Sequence, residues 1–354
     1  MKSCRIPCIS KIFKSTETIE KEEIKALSNW NDKLGFEDEL CPTILHPKDS
    51  LVKTDTKRIK ILYNPQSGDQ SGEQMAHNVK KALELNELEV QIVPLEYKGH
   101  AEELMTIVDL EGIDVIGVLI RFKVPVVMIP AGTGNSFSLE LYGTIEVKNI
   151  LQRIKRGWSV PIDIAHVTFQ NEDRSIYLFN SIHWGMASKV LITAEKMRWM
   201  GNAIRYTTAA AVEIFKGHKT RALIKGVSPG GIEWETEDDY SVCIANMIQT
   251  AAKGMKLAPD ARLNDGCIDV ILIKTSNVFD LANVFQKFYD GTHKELDYVE
   301  QCKQFSIIPL CDEKGQPIDD TKEQTEQVLD IDGELKGIAP FTCTVIPEAI
   351  LVIV

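Results

Sequence analysis

The chain has 354 residues, 44% of them hydrophobic and 26% charged, with 40 Lys and Arg against 51 Asp and Glu for a formal charge of −11. This composition excludes wholesale disorder and argues against a general nucleic-acid binder, which needs a net positive footprint. No apolar run approaches the roughly 20 residues of a membrane-spanning helix, and the first ten residues lack the apolar core of a secretory signal. The eight cysteines are scattered without C-x-x-C spacing, so reduced thiols in a cytoplasmic protein are expected. The length suits two domains.

Residues 1–56 read as an N-terminal extension interrupted by Pro42 and Pro47. From Arg58, short β-branched runs alternate with amphipathic stretches, the pattern of parallel βαβ units. The expected elements are a strand at 59–63, a helix at 73–85, a strand at 89–94, a helix at 100–109, and strands at 113–118 and 124–129. After Gly157 the period changes to two: Trp158, Val160, Ile162 and Ile164 alternate as on a half-buried antiparallel strand. Further strands are expected at 176–182, 221–227, 240–247, 267–274, 304–309 and 342–354, with helices near 187–200, 202–215 and 278–289. The fold class is therefore α/β plus β. Residues 57–157 form a Rossmann-like α/β domain, 158–340 an antiparallel β-sandwich-like domain, and 341–354 a terminal strand that can return to the first domain. The one biased segment is the acidic loop at 312–326.

Two βα loops carry anion-binding chemistry. Strand 59–63 runs into Asn64-Pro65-Gln66-Ser67-Gly68 and then a helix, so backbone N–H groups gather at a helix N-terminus. Strand 124–129 runs into Pro130-Ala131-Gly132-Thr133-Gly134-Asn135-Ser136, where the glycines permit close approach of a phosphate and Asn135 or Ser136 can cap the next helix. Two such loops at one sheet edge imply a nucleotide-like ligand. Asn264-Asp265-Gly266 reads as a hairpin turn before the strand at 267–274. His77, His100, His166, His183, His218 and His293 form no metal pattern and read as caps, core or surface residues. Between Lys189 and Lys225 lie eight basic residues and two acidic ones, a local +6 that can face a phosphate or an anionic membrane.

Asn-Pro-x-x-Gly, Gly99-His100-Ala101, the Pro130 to Ser136 run, Asn264-Asp265-Gly266 and Asp332-Gly333-Glu334 stand in the order found in the diacylglycerol kinase catalytic family, and the chain resembles that family from about residue 57 to its end. The segment Glu195 to Gly201 is similar to the sphingosine and ceramide kinase branch. The resemblance implies a two-domain lipid kinase in which ATP and Mg²⁺ occupy the cleft and phosphate passes to the hydroxyl of a sphingoid base, ceramide or diacylglycerol at a membrane surface. It implies that Asn64, Gly132, Thr133, Gly134, Gly333 and Glu334 contact ATP and that Arg198 and Arg205 hold phosphates. The arginines also suit phosphoryl transfer on chemical grounds, because that reaction consists mostly of positioning and charge neutralisation. Glu195 can instead pair with Arg198 at i, i+3.

Two departures from the family pattern bear on activity. No Gly-Gly-Asp triplet occurs anywhere in the chain, and only five residues separate Val118 from Val124, too few for a crossover between parallel strands. The family's Gly-Gly-Asp-Gly loop, which supplies the general base, is thus absent between Val118 and Leu119, and no catalytic base and no metal ligand is assigned. Leu191 stands where sphingosine kinases carry an aspartate that reads the amine. A non-catalytic nucleotide- and lipid-binding relative, the product of a skipped coding segment, and an NAD kinase are the alternatives, the last disfavoured by the Pro130 to Ser136 run. The sequence assigns no oligomeric state.

Overall fold

The computed structural model describes residues 43–44, 51–65, 72–97, 115–117, 125–130, 135–170, 172–200, 202–251, 255–275, 277–295, 299–311 and 327–354. The expected helix at 100–109, the acidic loop at 312–326 and most of residues 1–56 lie outside them.

The first layer is a parallel sheet. Strands β2 (Arg58–Tyr63), β3 (Glu89–Pro94) and β4 (Val115–Gly117) pair in the order β3-β2-β4. Helix α1 (Gly72–Glu84) crosses between β2 and β3 and buries Ala76, Val79, Ala82 and Leu83, which recur at helical spacing, while Glu73 and Lys81 sit at the ends the helix dipole favours. The expected strand at 124–129 does not join this sheet. In residues 125–130 only Val126 pairs, as an isolated parallel bridge to Val352, with Val126 N–H donating to Leu351 O and Ile353 N–H to Val126 O, both at 2.8 Å. Val126 and Val127 are buried, as the composition of the run suggests, but the partner of Val126 is the far end of the chain.

Helix α2 (Ser136–Tyr142) follows, then α3 (Val147–Arg156), which ends at Gly157. Gly157 has φ +66°, and a Cβ there would lie 2.0 Å from Thr54 O, whose residue donates its own N–H back to Gly157 O at 2.8 Å. This close approach seats β1 (Val52–Lys53) on β5 (Trp158–Phe169). Gly157→Ala is expected to lower stability by at least about 2 kcal/mol, combining left-handed strain with displacement of the 52–54 segment, as read by the urea unfolding midpoint.

The remaining strands build two antiparallel sheets. One has the order β1-β5-β16-β13-β8-β9, with β6 (Ser175–Leu178) added on β5; it includes β8 (Thr220–Val227), β9 (Glu233–Tyr240), β13 (Gln304–Pro309) and β16 (Phe341–Ile353). The other has the order β12-β11-β10-β7-β14-β15, formed by β7 (Ser181–Gly185), β10 (Val242–Asn246), β11 (Ile268–Ile273), β12 (Val299–Cys302), β14 (Val328–Ile331) and β15 (Glu334–Ile338). Their inner faces interdigitate around Trp184, Tyr240, Phe305 and Phe341, all fully buried. Strands β5 and β16 are long enough to serve two cores: Val160, Ile162, Ile350 and Val352 pack with Ile59 and Ile61 of the parallel sheet, whereas Val167 and Phe341 pack inside the sandwich. Helices α4 (Met186–Lys196), α5 (Asn202–Lys216) and α6 (Val278–Asp290) cover the outer face of the six-stranded sheet through Met186, Ile214, Leu281, Val284 and Phe288.

Several expectations change in detail. The strand expected at 176–182 breaks into β6 and β7 around Phe179 and Asn180. The Asn264-Asp265-Gly266 turn does not close a tight hairpin, since β10 and β11 are joined by the whole segment 247–267. It is held from below by Asp163, whose Oδ2 accepts from Gly266 N–H at 2.6 Å and whose Oδ1 accepts from Glu348 N–H at 2.8 Å; burial raises the pKa of Asp163 to about 6. The acidic strand β9 is the element the sequence pattern hides. Its Glu237, Asp239 and Glu235 pair with Arg221, Lys219 and Lys225 at 2.8, 3.6 and 3.4 Å, and Asp238 pairs with Lys274 at 3.1 Å. Three of the eight basic residues between Lys189 and Lys225 are therefore paired across the β8–β9 ladder, and this portion of the local +6 is not a surface awaiting an anion.

Candidate active site

Where β6 turns into β7, Asp332 holds the corner. Its Oδ2 accepts from Phe179 N–H at 3.0 Å and its Oδ1 from Asn180 N–H at 2.8 Å and Ser181 N–H at 3.0 Å, while its own N–H donates to Ser181 O at 2.9 Å. Desolvation is the larger effect on this carboxyl and leaves its pKa raised despite the three amide donors. Asp332 and Gly333 form the β14–β15 turn with φ of +53° and +83°, a backbone that suits Asp and Gly. The clamp reaches the other layer through Phe179, whose ring packs edge-on against Phe137 at 5.8 Å. Phe137 belongs to α2, the helix that follows the glycine run, and α2 is tied to residue 128 by the Met128 N–H bond to Tyr142 Oη at 3.1 Å. Two segments about 200 residues apart in the chain, the helix that follows the glycine run and the Asp332-Gly333-Glu334 turn, are thus brought to one junction.

Helix α4 packs over β7, β10, β14 and β15 and pairs with α5. Between those helices Arg205 is buried: its Nη1 lies 3.8 Å from Glu195 Oε1, its Nη2 donates to Tyr206 Oη at 3.1 Å, and its guanidinium stands 4.7 Å from the Tyr206 ring centre. Its Nε is buried with no partner. A guanidinium oriented by an acid and a ring, with a donor left over, fits a phosphate oxygen. Glu195 therefore pairs with Arg205 across the helices. The side chain of Arg198, and Gly132, Thr133 and Gly134 altogether, lie outside the described residues. Asn64 is exposed at the carboxyl end of β2, on the parallel sheet, and Glu334 is exposed at the start of β15, where Lys336 approaches it at 3.0 Å. Leu191 is buried in α4 and brings no charge to the site.

Sequence reasoning set His183 aside and did not single out Asp330 or Asn246. On β7 and β14 these first two stand directly opposite, with His183 Nδ1 and Asp330 Oδ2 at 2.9 Å. Asp330 lies two residues before Asp332, so the run Leu329-Asp330-Ile331-Asp332 already carried a signal, two acids spaced two apart where a strand runs into its turn. Among the described residues no group of three or more His, Cys, Asp or Glu side chains is arranged to hold a metal ion.

The fold is that of the two-domain lipid kinases, a parallel α/β layer joined to an antiparallel sandwich. Residues 58–120 and 114–167 match the diacylglycerol kinase catalytic domain, and residues 180–354 match the YegS C-terminal NAD kinase beta sandwich-like domain. The chain belongs to the lipid kinase family built from these two domains. It is 23% identical over 348 residues to sphingosine kinase 2 of Arabidopsis thaliana, covering 81% of this chain and 71% of the relative. It is 24% identical over 269 residues to a diacylglycerol kinase of Mycobacterium tuberculosis, covering 72% and 85%. A solved structure of a putative diacylglycerol kinase from Bacillus anthracis superposes with a TM-score of 0.61 at 16% identity, covering 92% of this chain and 98% of that one, which establishes likeness of fold. Family membership implies ATP as phosphate donor and a lipid as acceptor.

Proposed function

We propose that this chain transfers the γ-phosphate of ATP to a hydroxyl of a sphingoid base, ceramide or diacylglycerol type lipid. The observation that supports it best is the junction at Asp332, which joins the helix after the glycine run to the turn bearing Gly333 and Glu334 and lies beneath the helix pair that orients Arg205. In this reading residues 57–157 are the nucleotide domain, 158–340 the lipid domain and 341–354 the strand shared between them, after an extension at 1–56. Asn64, Gly132, Thr133, Gly134, Gly333 and Glu334 line the nucleotide, and Arg198 and Arg205 bind its phosphates. Mg²⁺ arrives with the nucleotide, as is usual for a cation that keeps its waters and binds substrate phosphates. Arg205→Ala is expected to weaken Mg-ATP binding at least about tenfold in calorimetric titration, the value of one charge-assisted contact.

The acceptor lies at a membrane, and the protein is cytoplasmic and peripherally attached. Trp199, Ile204, Phe215 and Phe279 are 82%, 57%, 77% and 84% exposed around α5 and α6, a density of bare apolar side chains that suits an interfacial surface. No helix among the described residues is long and apolar enough to cross a membrane.

A second reading, nucleotide and lipid binding without turnover, is favoured by one specific observation. The catalytic-domain match comes in two pieces that share residues 114–120, as expected when one strand stands for two parts of a longer domain, and the chain holds no Gly-Gly-Asp. Incubation with Mg-ATP and a lipid panel separates the readings: transfer to any lipid supports the kinase, and saturable ATP binding without transfer supports the second. Phosphorylation of NAD would overturn both.

A further inference from the structure

We propose that His183, held by Asp330, is the proton acceptor for phosphoryl transfer, so that the base comes from the six-stranded sheet; this rests on the lipid kinase reading above. Four buried polar atoms without partners stand on three adjacent strands: His183 Nε2 on β7, Asp330 Oδ1 on β14, and Asn246 Nδ2 and Oδ1 on β10. Buried polar groups are nearly always satisfied, so four orphans on adjacent strands mark a place where a polar ligand completes the bonding. The register puts them together. His183 stands opposite Asp330 on one side and Ile244 on the other, and Asn246 stands opposite Ser181, one same-face step from His183. That face is the helix-covered one, since Val242 and Ile244 pack with the helices whereas Ile182 and Trp184 point into the sandwich. Asp330 lies on β14 two residues before Asp332, which opens the β14–β15 turn, so the dyad stands beside the clamp that joins the two layers.

The chemistry follows from the pairing. Asp330 Oδ2 fixes the tautomer with the proton on Nδ1, leaving the Nε2 lone pair free, which is the orientation a general base needs. Asp332, the other carboxylate at the junction, has both oxygens committed to backbone amides and is unsuited to the task. In the transfer, the lipid hydroxyl proton moves to His183 Nε2 and the hydroxyl oxygen bonds to the γ-phosphorus. The bond from that phosphorus to the bridging oxygen breaks, its electron pair leaving with ADP, and Asp330 balances the imidazolium. Asn246, with a donor and an acceptor both unused, is placed to bind the polar head of the lipid.

The test is turnover by wild type, His183→Gln and Asp330→Asn, together with lipid KM, calorimetric Mg-ATP affinity and urea midpoint. His183→Gln is expected to lower kcat by about 10²- to 10⁴-fold with the other three measurements unchanged. Asp330→Asn, which disturbs the tautomer while keeping the shape, is expected to lower kcat at least about tenfold with the same KM, and it decides the matter if His183→Gln does not fold. Wild-type kcat in a folded His183→Gln, or a rise confined to lipid KM, overturns the base while leaving the kinase reading in place. Absence of transfer by wild type to every lipid overturns the kinase reading and the base together.

Discussion

Asp332→Ala is expected to cost about 3 kcal/mol of stability and to release the amides of Phe179, Asn180 and Ser181 to hydrogen exchange. Three backbone N–H groups end on this carboxylate, and truncation leaves them without an acceptor while removing the side chain that closes the β6–β7 corner. Asp332→Asn preserves the oxygen shared by Asn180 and Ser181 and is expected to lose only about 1 kcal/mol. Exchange should rise at residues 179–181 first, and the Phe179 contact with Phe137 should loosen with it, uncoupling α2 from the sandwich. Unchanged protection at those amides in Asp332→Ala would contradict the clamp.

Asp269→Asn is expected to make the protein more stable than wild type at pH 8, by about 3 kcal/mol, and to leave the two nearly equal at pH 4. Asp269 is buried on β11, and desolvation raises its pKa to about 7, with Gln301 hydrogen bonding opposing the shift and Asp265 and Asp260 adding to it. Its unfolded value is near 3.9, so between about pH 4 and 7 the native state holds a proton that the unfolded chain has lost. Stability from this group is therefore fully present below the unfolded pKa and declines as pH rises through the folded one. Asp163, raised to about 6, acts in the same direction over a narrower window. Urea unfolding at pH 4, 6 and 8 measures the effect; a wild-type pH slope retained in Asp269→Asn would exclude Asp269 as its source.

Much of the architecture is legible in the amino-acid order because it rests on local periodicity. The strands at 89–94 and 304–309 are bounded as expected, and the change from period 3.6 to period 2 after Gly157 marks the passage from parallel to antiparallel sheet. The failures share a physical cause, which is pairing with distant chain. The run 124–129 has strand composition, yet among its described residues the one bridge is from Val126 to Val352. Strand β9 carries five acids in eight residues and looks like a solvated loop until the basic residues of β8 are set beside it. A charge window ending at Lys225 stops before Glu233 and mistakes half of a ladder for a patch.

The site divides along the same line. The glycine run and Asp332-Gly333-Glu334 are contiguous and readable. What Asp332 does is not, because its amide partners are 151 to 153 residues away, and His183 meets Asp330 across 147 residues. A histidine judged by its neighbours in sequence reads as core; judged by its neighbours in space, it has a carboxylate on one nitrogen and nothing on the other.

The most direct measurement is transfer of label from γ-labelled Mg-ATP into mixed vesicles containing sphingosine, ceramide and diacylglycerol, with the lipids separated afterwards. Label on a lipid hydroxyl, dependent on His183 and weakened by Arg205→Ala, is the expected result. Label confined to ATP and inorganic phosphate, with every lipid unlabelled, would contradict it.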